Sequence, residues 1–105
     1  MNETPSCQFA VLGTGRIGAM HAGIIARQPG AAVRWCYDVD LTRAEAVAAA
    51  HGARATTRLE EALGDADTDA VLIASATNTH VDLLLAAVPA GKPIFCEKPL
   101  DVDPA

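Results

Sequence analysis

Aromatic side chains are scarce: two Phe, one Tyr and one Trp in 105 residues. Rings cannot fill the core, so Ala, Val, Ile and Leu must, which is the make-up of a parallel sheet covered by helices. Basic residues are also few, 8 against 13 acidic ones, for a formal net charge of -5. That balance argues against a nucleic-acid surface, which needs clustered Lys and Arg. No apolar run approaches the ~20 residues of a membrane span. Residues 1–6 show neither a basic region nor an apolar signal core. Neither nucleic acid nor membrane is expected as a partner, and the expected location is cytoplasmic. Cys7, Cys36 and Cys96 are an odd set without metal-ligand spacing. Each lies in an apolar, strand-like run, where a thiol serves as a small buried hydrophobe. No metal is expected, and a reducing compartment is.

What is present is a regular alternation of short apolar runs and helical periodicity. Strands are predicted over 8–12, 32–37, 53–56, 70–74 and 93–96. The first helix carries Ile17, Met20, Ile24 and Ile25 on one face and ends near Pro29 and Gly30. Asp40 is a natural N-cap for a second helix, with Leu41, Ala44, Val47 and Ala48 inward and Gly52 as its stop. Thr57 with Glu60 predicts a capping box before a short helix over 59–63, and Thr79 with Asp82 predicts another. Val81, Leu84, Leu85 and Val88 then recur at helical spacing, and Pro89 should bend or end that helix.

This pattern predicts one doubly wound α/β domain over 1–105, a Rossmann fold with strand order 3-2-1-4-5. Its ligand crevice would lie at the carboxyl ends of strands 1 and 4. The sequence stops at Asp103-Pro104-Ala105, which reads as the first turn of another helix, so an incomplete, truncated domain is expected.

Four groups of residues carry chemistry in that frame. Gly13, Gly15 and Gly18 form a G-x-G-x-x-G loop between a predicted strand and a predicted helix, the context in which this motif binds a pyrophosphate. Asp38 closes the second strand twenty residues beyond Gly18 and can accept from both hydroxyls of an adenosine ribose. A carboxylate there repels a 2′-phosphate, which favours NAD over NADP, although Arg43 behind it could soften the preference. The loop from Ser75 to His80 offers hydroxyls and an amide to the nicotinamide half, but helix capping accounts equally well for Thr79, and a plain surface role is open to His80. Glu97-Lys98-Pro99 follows the fifth strand; Lys98 there could bond a substrate hydroxyl, and a solvated Lys–Glu pair is an even alternative. His21 and His51 are read as structural.

Together these pieces resemble the N-terminal domain of the Gfo/Idh/MocA family of dehydrogenases. The matching segments are GTGRIGAMHA at 13–22, YDVD at 37–40, DTDAVLIASATNTHVDLLLAA at 67–87 and AGKPIFCEKPLDVD at 90–103. Within the family they look most like its inositol dehydrogenase branch. The resemblance implies NAD(P)-dependent oxidation of a sugar or polyol hydroxyl. It places Gly13, Gly15, Arg16, Ile17 and Gly18 on the pyrophosphate and Asp38 on the adenosine ribose. Thr77, Asn78 and His80 would lie around the nicotinamide, with Glu97 and Lys98 facing nicotinamide and substrate. Lys98 is the candidate catalytic residue, working in the family with an Asp and a general-base His from a second domain absent from this sequence. The resemblance implies catalysis and homo-oligomers only for a longer form. The alternative is a non-catalytic nucleotide-binding or interaction module.

Overall fold

The computed structural model describes residues 7–74 and 77–96, with the backbone alone for 77–81. Strands and helices alternate: β1 (Cys7–Leu12), α1 (Arg16–Ala26), β2 (Ala31–Tyr37), α2 (Leu41–His51), β3 (Arg54–Thr56), α3 (Leu59–Gly64), β4 (Ala70–Ile73), α4 (Thr77–Ala87) and β5 (Ile94–Cys96). The sheet order is β3-β2-β1-β4-β5, and every pairing is parallel. This is the doubly wound topology expected from the sequence. The chain runs outward from β1 to β3, then returns to β4 on the other side of β1. Connections therefore leave β1 and β4 in opposite directions, which opens a crevice at their carboxyl ends.

Side-chain alternation along the strands divides the core in two. Ala10 and Leu12 join Trp35, Val71, Ile73, Leu83 and Ala87 in one cluster. Val11 joins Ala22, Val33, Cys36, Ala44 and Ala48 in the other. The four residues of β4 are all buried, as befits a strand covered on both faces.

The predicted helix faces hold in part: Ile25, Ala44, Val47, Ala48 and Leu84 lie in the core or pack on it, and other predicted positions do not. In α1 the buried positions are Gly18 and Ala22, whereas Met20 and Ile24 are exposed. In α2, Ala44 and Ala48 are buried and Leu41 is exposed; in α4, Leu83 and Ala87 are buried while Leu85 is exposed, as is Val88 just beyond the helix. Small residues let each helix approach the sheet, and several larger apolar chains move to the rim. Hydrophobicity alone ranks those chains inward, but close packing selects on size as well.

Helix ends also refine the sequence reading. Asp40 caps α2 by accepting from the Arg43 N–H, and Gly52 ends it in the left-handed region at φ 67°. The predicted Thr57–Glu60 box does not form. One residue earlier, the Thr56 hydroxyl accepts the Arg58 N–H at 2.8 Å and donates to the Glu61 carboxylate. The Thr79–Asp82 box is likewise overtaken, because α4 already begins at Thr77. Pro89 acts as expected: α4 stops at Ala87, and a 3-10 turn, Val88–Ala90, follows.

Cys36 is buried, and burial pushes its thiol up to about 11. Cys7 is half-buried, and Cys96 is exposed on β5, the outermost strand described on that side. The expectation of three buried thiols therefore holds for Cys36 alone. Among the described residues no group of His, Cys, Asp or Glu could hold a metal ion. Among the same residues no helix is long and apolar enough to cross a membrane.

One irregularity organises β2. Phe9 pairs with Val33 but Ala10 pairs with Trp35, so Arg34 is an extra residue in the ladder. Neighbours in a regular strand point to opposite faces, yet here Arg34 Nε and Trp35 Nε1 both donate to Asp65 Oδ2. The Asp67 N–H donates to Oδ1 of the same carboxylate at 2.9 Å. The Arg34 guanidinium, then the Asp67 N–H and the Trp35 indole, hold the Asp65 carboxyl down at about 2. A depressed carboxyl stabilises the fold above its unfolded value of 3.8, and the contribution is lost as pH falls through about 2. Asp65→Asn should thus lower the melting temperature at pH 6, and its deficit should shrink between pH 4 and pH 2. Thermal melts followed by circular dichroism across that window check this; a constant deficit would remove Asp65 from the acid response.

Candidate functional site

The described part of the site lies at the ends of β1 and β2, beside the crevice between β1 and β4. Leu12 is fixed by the Ala74 N–H, which donates to its carbonyl at 2.9 Å. The Gly13 N–H then donates to the Tyr37 carbonyl at 2.8 Å, which ties the start of the loop to β2. Gly13 sits at φ 101°, in the region that favours glycine. After Thr14, Gly15 serves as N-cap of α1. No side chain caps this terminus and no acidic residue lies in its first turn. Among the described residues, a Cβ at Gly15 would meet nothing within 4 Å. The first turn thus presents backbone donors and a positive dipole end toward open space. Arg16 is exposed and Ile17 half-buried at the start of that turn. The donor set, the open space over Gly15 and a first turn free of acidic residues all suit a pyrophosphate. Gly18 also serves packing, since a Cβ there would fall 1.8 Å from the Gly13 carbonyl oxygen. It allows α1 to lie directly on the loop.

Asp38 stands beside this loop at the end of β2, with a relative exposure of 6%. Its Oδ2 accepts from the Thr14 N–H at 2.8 Å and from the Thr14 hydroxyl at 2.9 Å. Its Oδ1 accepts from the Asp40 N–H at 2.9 Å. Burial is the strongest single influence on this carboxyl and pushes it up. The Asp40 N–H, the two Thr14 donors and the Arg43 guanidinium together outweigh burial and hold it below the usual carboxylate range. The group is therefore an anion at neutral pH, able to accept from a ribose hydroxyl and to repel a phosphate. Arg43 leans toward Asp40, with Nη2 3.8 Å from Oδ2.

The remaining predicted residues are located by backbone or by sequence neighbour. Thr77, Asn78 and His80 occupy the start of α4, directly beyond β4; their side chains lie outside the described residues. Glu97 and Lys98 also lie outside them. They follow Cys96, which pairs with Ile73 at the carboxyl end of the sheet. The structure thus brings the glycine loop and Asp38 into contact. Thr14 is the residue that sequence reasoning missed. A hydroxyl between two glycines, one strand away from an acid, was the available signal.

Residues 7–105 match the family described as oxidoreductase, NAD-binding Rossmann fold. An inositol 2-dehydrogenase of Rhizobium meliloti is 42% identical over 91% of this chain and 29% of its own length. Among solved structures, a myo-inositol dehydrogenase from Corynebacterium glutamicum is 40% identical, with a TM-score of 0.82 over 93% of this chain and 29% of that one. The myo-inositol dehydrogenase of Lactobacillus casei, solved in complex with NAD(H) and myo-inositol, is 33% identical. Its TM-score is 0.83 over 90% of this chain and 29% of that one. The chain accordingly spans about three tenths of the length of these relatives.

Proposed function

Because this chain belongs to the Gfo/Idh/MocA oxidoreductase family, with its NAD-binding Rossmann fold, we propose that it is the cofactor-holding part of a dehydrogenase that oxidises a sugar or polyol hydroxyl to a ketone. The observation that carries this reading is the uncapped α1 terminus over an open Gly15, next to an ionised Asp38. Inositol is the substrate favoured by the relatives' names.

The backbone donors of residues 15–18 would bind the pyrophosphate, and Asp38 would hold the adenosine ribose. The same carboxylate would disfavour a 2′-phosphate, so NAD should be preferred over NADP. Thr77, Asn78 and His80 would flank the nicotinamide half. Bound NAD supplies the hydride acceptor. Glu97 and Lys98 would face the nicotinamide and the substrate, with the Lys98 ammonium bonded to the substrate oxygen and favouring alkoxide character there. The proton itself would go to the general base that the family takes from its second domain. Turnover and homo-oligomer formation are therefore proposed for a longer form.

Calorimetric titration tests the reading. NAD should bind this chain at least about 10-fold more tightly than NADP, the discrimination expected when one charged contact is lost. Myo-inositol oxidation should be absent in this chain and present in one extended through a second domain. Failure of both forms to bind either dinucleotide would end the proposal.

A further inference from the structure

We propose that Thr14 permanently fills half of the Asp38 carboxylate, so that this chain recognises the adenosine ribose through one hydroxyl at Asp38 rather than two. The inference rests on the dinucleotide reading above and makes Thr14 a specificity-determining residue of that site.

A carboxylate offers about four acceptor positions, two on each oxygen. Both positions on Oδ2 are taken, by the Thr14 N–H at 2.8 Å and the Thr14 hydroxyl at 2.9 Å. One position on Oδ1 is taken by the Asp40 N–H at 2.9 Å. A single position, on Oδ1, is left for a ligand.

Thr14 cannot readily give up its share. Its relative exposure is 2%, so a hydroxyl turned away from Asp38 would become a buried polar group in need of another partner. Its N–H is fixed by the chain, because the preceding Gly13 N–H is bonded to Tyr37 and the following Gly15 opens α1. The Asp40 N–H is likewise set by the turn into α2, whose cap is Asp40 itself. The ribose diol presents two O–H donors to this carboxylate. One of them can bond to Asp38, and the other must turn to solvent or to another acceptor. The two hydroxyls therefore contribute unequally to affinity.

The test compares NAD with its 2′-deoxy and 3′-deoxy analogues on the adenosine ribose, titrated into the native chain and into Thr14→Ala and Thr14→Ser. In the native chain one analogue should bind about 10-fold more weakly than NAD, the loss of a hydrogen bond to a charged group, and the other within about 3-fold. Thr14→Ala keeps the N–H, frees one position on Oδ2 and clears the space the hydroxyl filled. The second analogue should then also lose affinity relative to NAD, while Thr14→Ser should restore the native pattern. A ligand-free measurement stands beside the titration. The Asp38 carboxyl, followed by carbon NMR, should titrate at higher pH in Thr14→Ala than in the native chain and be unmoved in Thr14→Ser. Equal losses for both analogues in a native chain that binds NAD would overturn the inference and leave the dinucleotide reading standing. So would an Asp38 titration unaltered by Thr14→Ala. A native chain that binds no NAD would instead sink the dinucleotide reading.

Discussion

Gly18→Ala is expected to cost at least about 3 kcal/mol of folding stability, the upper end of what an overpacked site loses. The added methyl would lie 1.8 Å from the Gly13 carbonyl oxygen and 2.7 Å from its carbon, both backbone atoms. The loop cannot retreat, because the Gly13 N–H is bonded to Tyr37 and the Thr14 N–H to Asp38. A domain of this size has only about 5–15 kcal/mol to lose. Gly15→Ala provides the contrast. Its methyl meets no atom of the described residues within 4 Å, so the fold should lose only about 1 kcal/mol, the scale of a weakened N-cap. That methyl would nevertheless stand where a pyrophosphate must approach the backbone, and NAD binding should be lost. Urea unfolding and NAD titration on both variants separate the two roles. A Gly15→Ala chain that binds NAD as well as the native one would remove the loop from the site.

Asp38→Ala should combine both kinds of damage. It leaves the Thr14 N–H, the Thr14 hydroxyl and the Asp40 N–H without their acceptor. Each orphaned buried donor costs about 1–3 kcal/mol, and neighbouring losses do not add in full, so a total near 3 kcal/mol is expected. The preference for NAD over NADP should collapse, because both the ribose acceptor and the charge opposing a 2′-phosphate disappear. Asp38→Asn should be milder in stability. Its amide oxygen can keep the two Thr14 donors, while its NH₂ group would face the Asp40 N–H, donor against donor. Unfolding curves and paired NAD and NADP titrations check the order native, Asn, Ala. If Ala and Asn lose equal stability, the three-donor account of Asp38 is wrong.

Most of the topology could be read from the sequence because its signals are local. Apolar strand runs stop at Gly13 and Asp38, and Asp40 with Gly52 brackets α2. Strand edges moved by only about one residue, the usual fraying of such boundaries. What escaped reading depends on distant partners. Met20, Ile24 and Leu85 look inward by periodicity, but the closeness of each helix to the sheet decides their place. Cys96 looks buried until its strand proves to be outermost among those described. In the site, the glycines were visible because backbone geometry demands them. Thr14 was not, since its partner is 24 residues away and no spacing rule refers to the residue between the glycines.

The extra residue in β2 bears on how the distance from glycine loop to acid should be counted. Arg34 has no counterpart on β1, and the pairing resumes with Trp35 beside Ala10. Removing Arg34 would close the ladder with Trp35, Cys36 and Asp38 still on their present faces, at the cost of its bond to Asp65 and its ion pair with Asp67. Removing a residue elsewhere in β2 would turn the following side chains to the wrong side. Within β2, Arg34 is therefore the position where one residue could be lost with the following faces kept, and a spacing of twenty would become nineteen.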